Sequence, residues 1–441
     1  MATRPHYQRS SEELVIYFGI LAFWPAYLIG GLYVLGSVIG WALLGLTLLR
    51  RFVQGNERFY RTPVLSYVWI VAMALMLVAL IIGHAQWALG LPKTIKSSIG
   101  WAKGWALLAL FIYVGATLKF DHRLLINAVC KTSALAIPFF VLGTLLYGIG
   151  GPQSLFVSPL KAVGGPGPEF FELRFFGLNP ETGRPRWFFF TPWAPAAGLV
   201  SCLFVVLCAQ ESNLKWRLLG CLGCMLICLA SQSRAGMAIF FGILPALWFV
   251  RVIGFGYTLL MASLMLPVFG LLALPAIEWL MDGFQSVKDA RPGSTRVRSA
   301  LADIAVQRWA SEAPVWGHGI VERGPKVVEH MPIGTHHSWY GLLFTKGMVG
   351  ALSLAIPMVL TGLYLVVESF RSRIAFAALS IVLVLGLYSF FENLEILVYL
   401  YWPALLYLGV ALNHENTSCS SKKEDTSSDY LHCRSGTAVA I

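Results

Sequence analysis

The sequence predicts an all-α protein that threads repeatedly through a membrane. Three observations carry that reading. Of 441 residues, 57% are hydrophobic and only 12% are charged, with a mean hydropathy of +0.68; a soluble domain carries about 25% charged residues. The apolar residues fall in long runs, and a helical span needs about 20 of them. The basic excess (33 Lys plus Arg against 22 Asp plus Glu) collects in the short loops on one side of those runs, as the positive-inside rule expects. This composition excludes a water-soluble enzyme, a disordered chain and a secreted disulfide scaffold. In a soluble protein a charge of +11 would suggest nucleic acid. Here it first reports topology, and no nucleic-acid partner is expected.

Reading in chain order, the runs give about twelve spans by length alone. The first two lie within Leu14–Leu49, hinged at Gly30 and Gly31, and the next are Val64–Ile82 and Trp105–Leu118. Leu124–Tyr147 contains Pro138, and Trp193–Ala209 follows. Two short runs, Leu218–Ala230 and Met237–Val250, are divided by SQSRAG. The ninth is Val252–Leu274; Trp339–Val367, Ile374–Phe391 and Ile396–Leu412 complete the set. Arg50, Arg51, Arg58 and Arg61, then Lys119, Arg123 and Lys131, then Lys215 and Arg217, Arg251, Arg371 and Arg373 share one side, with Glu57, Asp121, Glu211 and Glu368 as its acids. That asymmetry sets both N- and C-termini inside. No small-residue cleavage site precedes the second run, so the N-terminal segment reads as an uncleaved anchor.

Residues 1–412 are thus expected to form a single transmembrane domain. Residues 413–441, rich in Ser, Thr, Lys, Asp and Glu, read as a disordered cytoplasmic tail. Two outer segments, 148–191 and 275–337, are far longer than the other connections. Long loops in a compact protein are functional or disordered, and their Trp, Phe, Pro and Gly content argues against disorder. No internal repeat suggests a transporter of two related halves. None of the eight cysteines falls in either loop. Cys221, Cys224 and Cys228 have a metal-like spacing, but they lie mid-run at helical intervals, where thiols pack between helices.

Four clusters near the outer face can carry chemistry. Ser231–Gly236 (SQSRAG) suits a tight break followed by a helix start. Arg234 beside Ser233 and the first amides would suit a phosphate, although an arginine at the bilayer edge can also simply snorkel. In Gly293–Gly319, Ser294 or Thr295 can cap a helix ending before Pro314. Val297, Leu301, Ile304, Ala305 and Trp309 form its apolar face. Arg296 and Arg298 either decorate an interfacial helix or turn inward to a second anion contact. In Thr335–Gly350, His336 and His337 stand where the long loop re-enters the membrane, beside Trp339. Imidazole can act there as base or acid, or hydrogen-bond at the interface; metal binding with His318 and His330 lacks ligand spacing. In Glu172–Trp193, Arg174, Arg184 and Arg186 alternate with aromatics including Trp187. Such a set can hold a glycan or form an aromatic belt with cationic anchors. Glu392 and Glu395 read as helix caps rather than as a catalytic carboxylate pair.

Taken together these pieces resemble the O-antigen ligase and polymerase superfamily of bacterial envelope enzymes. The resemblance rests on the SxSRxG element (Ser231, Ser233, Arg234, Gly236), on an arginine-bearing helix running into Pro-x-x-Gly-x-Gly (Arg296 and Arg298 to Pro314, Gly317, Gly319), and on a histidine some way before GxxG (Gly347, Gly350). Spacing favours His336 as that histidine, and the His-Ser dipeptide favours His337. It covers the chain from Ser231 onward. It implies a glycosyltransferase of the bacterial inner membrane, with its site facing the periplasm. A glycan on undecaprenyl pyrophosphate passes to an acceptor sugar hydroxyl, as in attachment of O-antigen to lipid A-core. Arg234, Arg296, Arg298 and Ser233 would hold the pyrophosphate. His336 or His337 would deprotonate the acceptor. Arg174, Arg186, Trp187 and Trp339 would contact glycan or acceptor, with no metal or cofactor needed and membrane lipids as surroundings. A polymerase of lipid-linked repeat units is the nearest alternative. A polysaccharide transporter would need polar residues inside several spans, and these are sparse.

Overall fold

The computed structural model is almost wholly helical, with two small two-stranded sheets. It describes residues 10–55, 59–179, 183–254, 256–257, 260, 263–264, 292–328, 330–333 and 337–413. The helices are α1 (Ser11–Leu21), α2 (Phe23–Leu28), α3 (Leu32–Gln54), α4 (Val64–Gln86), α5 (Leu91–Lys103), α6 (Trp105–Thr117), α7 (His122–Ala134) and α8 (Ala136–Gly148). After the first long loop come α9 (Ala194–Cys208), α10 (Leu214–Ser231), α11 (Arg234–Ala238) and α12 (Leu244–Ile253). α13 (Pro292–Glu312), α14 (Ser338–Ser369), α15 (Arg373–Tyr388) and α16 (Leu394–Leu412) follow. Among the described residues, 8 helical segments are long and apolar enough to cross a membrane, and α9 and α15 are shorter apolar helices. Every run expected to span falls on a helix except the ninth, Val252–Leu274, which lies mostly outside the described residues, as does the tail from 414 onward.

The helix breaks have local causes. Pro138 has no N–H to return to Ala134, and the α7–α8 segment breaks at Leu135. Pro245 likewise cannot donate to Phe241, and the ladder between α11 and α12 widens into a π segment, Ile239–Ile243. Gly104 divides α5, which buries no residue, from α6, in which every residue is buried. The amphipathic α5 was not anticipated as an element of its own.

α16 is the central helix, with α3, α6, α9 and α15 around it. In lipid, apolar side chains gain little by leaving their surroundings, so small-residue contacts and interhelical hydrogen bonds hold helices together. Gly115 of α6 sits on the backbone of Leu406, and Gly409 of α16 on that of Ile112. Trp24 Nε1 donates to Thr132 O at 2.8 Å, and Trp69 Nε1 donates to Thr361 Oγ1 at 3.0 Å. Cys224 and Cys228 are buried in α10, and Cys130 and Cys208 flank Gly220, so these thiols pack helices.

The first long loop folds as two antiparallel pairs. β1 (Phe156–Val157) pairs with β2 (Glu172–Leu173), and β3 (Phe176–Leu178) pairs with β4 (Pro185–Trp187). The second contains α13, which lies on α14 through a small core of Val297, Leu301, Ala305, Val328, Ile333 and Phe344.

α14 is interrupted at Gly347, whose φ is 61° and ψ −160°. A break in a spanning helix leaves amides and carbonyls without partners, which is costly in lipid. The Pro314–Gly319 turn supplies them. His318 N donates to Phe344 O at 2.8 Å and Gly319 N to Thr345 O at 2.9 Å. In return Met348 N donates to Pro314 O at 2.9 Å and Val349 N to Val315 O at 3.3 Å. The backbones meet so closely that a Cβ on Gly347 would strike Val315, and one on Gly317 would strike Lys346 and Gly347. Gly347→Ala therefore combines a left-handed φ with a backbone clash. It should cost roughly 2–3 kcal/mol, read as a lower denaturation midpoint in detergent. Gly45→Ala, where nothing stands within 4 Å of the added methyl, should leave the midpoint unchanged or raise it.

Candidate functional site at one end of the bundle

The Ser231–Gly236 segment forms the expected break. Gln232 takes a left-handed conformation (φ 52°, ψ 35°) and ends α10. Ser233 is extended and buried, and its hydroxyl accepts from Gly236 N at 3.2 Å, capping α11. Arg234 is the first residue of α11 and its side chain is exposed. The turn is held from outside. Arg186 of β4 donates through Nε to Ser231 O at 3.2 Å and through Nη2 to Gln232 O at 3.5 Å, and Gln232 Nε2 donates to Pro185 O at 3.1 Å. Arg186 thus serves the carbonyl end of α10, where a cation is favoured. On its inner side the turn presses Gly236 against Gly198 of α9 and the Tyr388 hydroxyl of α15.

The re-entry of the second loop meets the next residue of the same helix end. Ser338 N donates to Ser389 O at 3.0 Å, and Trp339 Nε1 to Ser389 Oγ at 2.8 Å. Ser338 Oγ donates to Glu392 O at 2.7 Å, and Trp193 Nε1 to Glu392 Oε2 at 3.0 Å. Tyr388 and Ser389 therefore join the arginine turn to the histidine-bearing re-entry. Sequence reading took Glu392 as an interfacial cap. It is instead a buried acceptor tying the start of α9 to this corner.

His337 caps α14. Its Nδ1 accepts from Trp339 N at 3.2 Å and Tyr340 N at 3.4 Å, and its ring packs on Tyr340 at 4.1 Å. With Nδ1 accepting, the neutral ring carries its proton on Nε2. Burial lowers its pKa from the ordinary 6.5 to about 4, so it is uncharged at neutral pH. His336 lies outside the described residues. Arg296 is exposed on α13 next to the buried Val297, and α13 reaches the same corner because Tyr340 also packs on its core. The side chain of Arg298 lies outside the described residues.

The aromatic loop is built into the bundle. Arg174 pairs with Glu172 at 3.3 Å and lies over the Phe188 ring at 5.8 Å. Its backbone is clasped by the Tyr27 hydroxyl, which accepts from Arg174 N at 3.1 Å and donates to Arg174 O. Trp187 is half-buried against Phe140 and Gly143 of α8.

A network that spacing did not reveal fastens the Pro314–Gly319 turn. His318 is buried and sandwiched between Phe344 (4.3 Å) and Trp87 (5.0 Å). Its Nδ1 meets Phe344 O at 3.0 Å and its Nε2 meets Glu312 Oε2 at 2.8 Å. Arg308 donates to both oxygens of Glu312 and to Glu322 at 2.6 Å. Hydrogen bonds from Arg308 and then His318 pull the Glu312 carboxyl down to about 2. The Arg308–Glu312 spacing of four is legible in sequence; the reach of Glu312 to His318 is not. Among the described residues no group of His, Cys, Asp and Glu is arranged to hold a metal.

Residues 219–355 match the family model described as O-Antigen ligase. Over this segment, about a third of its length, the chain is similar to the O-antigen ligase family. The matched segment spans the SxSRxG turn, α13, the Pro314–Gly319 turn, the histidine pair and the break at Gly347. It supports the O-antigen ligase and polymerase superfamily, and with it glycan chemistry at a membrane. No curated protein matches the chain.

The clasp gives a stability prediction. Glu312→Gln, which leaves the buried His318 without a charged acceptor, should destabilise by about 1–3 kcal/mol. A His318→Ala, Glu312→Gln double variant should lose less than the sum of the singles in thermal denaturation. Because the carboxyl is lowered in the fold, its contribution is present above about pH 4.5 and lost as pH falls towards 2.

Proposed function

We propose that the protein transfers a glycan from undecaprenyl pyrophosphate to a sugar hydroxyl at the periplasmic face of the bacterial inner membrane, as an O-antigen ligase acting on lipid A-core. The observation that carries this is that the arginine turn and the histidine-bearing re-entry, both inside the segment similar to O-antigen ligase, meet at Tyr388–Ser389 just beyond it. On this reading the ends of α9, α10 and α14 around that corner face the periplasm, and both termini lie in the cytoplasm.

The chemistry follows from charge. A glycosyl–phosphate bond breaks as the acceptor oxygen attacks, and negative charge grows on the departing pyrophosphate. Cations fixed beforehand at that position stabilise the transition state. In this reading Arg234, exposed on the turn that Ser233 fixes, and Arg296, exposed on α13 with Arg298 on the same helix, supply those cations. Their guanidinium forks suit phosphate oxygens without a metal.

The acceptor hydroxyl must be oriented and must lose its proton. The His336–His337 pair provides the imidazole. In the capped geometry His337 offers an Nε2–H donor. Its two cap bonds are long, so releasing Nδ1 as a base costs little. Trp339, at the start of α14, stands as a contact for the glycan, whereas Arg174, Arg186 and Trp187 brace the site.

Single alanine variants at His336 and His337 separate the pair. The catalytic one should lower transfer by at least about 100-fold, read as loss of capped glycan on an envelope gel. Normal profiles from both singles and the double would refute the histidine chemistry. Undecaprenyl-linked polymer left uncapped would mark a ligase, and single repeats a polymerase. Arg234→Lys keeps the charge but not the fork, and should reduce transfer while leaving the protein folded. If His337 is the base, its acidic limb should fall near pH 4 rather than 6.5, because burial disfavours the charged ring.

A further inference from the structure

The amphipathic α5 takes no part in the site described above. None of its 13 residues is buried, yet it is tied down at both ends. Near its start Thr94 Oγ1 stands 3.2 Å from His84 Nδ1, and His84 Nε2 donates to Gly319 O at 3.1 Å. At its end Lys103 Nζ donates to Gly164 O at 3.1 Å, and Gly104 abuts Glu395 at the start of α16. Trp101 Nε1 donates to Met73 O, and Trp41 Nε1 donates to Ala102 O. The helix therefore joins α4 to α6 at the end of the bundle that carries both long loops.

Its outward surface has two parts. Leu91, Ile95 and Ile99 recur at every fourth position and are 71%, 52% and 50% exposed. Lys93 and Lys96 are exposed beside that stripe, and α5 contains no acidic residue. An exposed apolar stripe flanked by lysines, set off by the break at Gly104 from the wholly buried α6 with which it makes one long helical segment, matches a helix lying in the membrane interface. Isolated lysines would be solvated anywhere. Here the stripe fixes them at headgroup depth, where their stems lie along acyl chains and their ammonium groups reach phosphate.

We propose that α5 is a binding surface for anionic phospholipid headgroups, with Leu91, Ile95 and Ile99 in the acyl region and Lys93 and Lys96 paired with lipid phosphate. Bound lipid holds a strap that touches both long loops, through His84–Gly319 and through Lys103–Gly164. The surface does not depend on which reaction the corner at Tyr388–Ser389 performs.

The test titrates phosphatidylglycerol into the detergent-solubilised full-length protein and counts bound lipid by native mass spectrometry. Each lysine removed should weaken binding about fivefold, so K93Q/K96Q should lose most of the bound species. K93R/K96R should retain them, and Lys326→Gln, on the second loop, should leave them unchanged. Phosphatidylcholine should bind the wild type no better than it binds K93Q/K96Q. Equal phosphatidylglycerol binding by the wild type and K93Q/K96Q would overturn the proposal. So would displacement of the lipid by inorganic phosphate alone, which would mark a soluble-anion site.

Discussion

The site depends on one backbone exchange. α14 cannot pass Gly347 as a continuous helix, and the groups freed there must be satisfied where water is scarce. The Pro314–Gly319 turn satisfies them with two bonds in each direction. That exchange fixes the far end of α13, and α13 in turn covers Tyr340 and Phe344. It also fixes the half-helix Ser338–Lys346, whose first turn is capped by His337. Motifs that look separate in sequence, Pro-x-x-Gly-x-Gly and Gly-x-x-Gly, are two sides of a single contact.

Around this joint the polar groups are placed rather than scattered. His318 fills the space between two aromatic rings and satisfies both of its nitrogens. Arg308 gathers two carboxylates beside it. A buried imidazole left half-satisfied would be worse than an apolar side chain, so His318 can hold the loop only because both of its nitrogens have partners. Arg186 plays the matching part at the other motif, holding the carbonyl end of α10 so that Arg234 is presented outward.

The cations differ in exposure. Arg174, Arg186 and Arg308 have carboxylate, carbonyl or ring partners inside the protein. Arg234 and Arg296 project from turns and helices whose backbones are fixed. Preorganised charge of this kind is what the proposed departure of a pyrophosphate would demand.

The sequence by itself determined the helical runs within the described residues, the breaks at Gly30–Gly31 and Ser231–Gly236, and the end of α13 before Pro314, although α13 begins at Pro292, ahead of the Ser294 or Thr295 expected to cap it. Each follows from local rules: apolar length, proline's missing N–H, serine capping. The Ser233 cap and the re-entry at Ser338 were likewise legible. Tertiary structure alone decided which polar residues brace and which are presented. Arg174, Arg186, Arg234 and Arg296 look alike in sequence, and only the fold sets how far each is exposed and which elements surround it. The same holds for Glu392 and His318, whose partners lie on other elements. It holds for α5 too, whose weak hydropathy concealed a helix until α4 and α6 fixed its ends. Local periodicity encodes which residues are helical. Hydrogen bonds between residues far apart in the chain encode what each charge is for, and those bonds exist only once the bundle has closed.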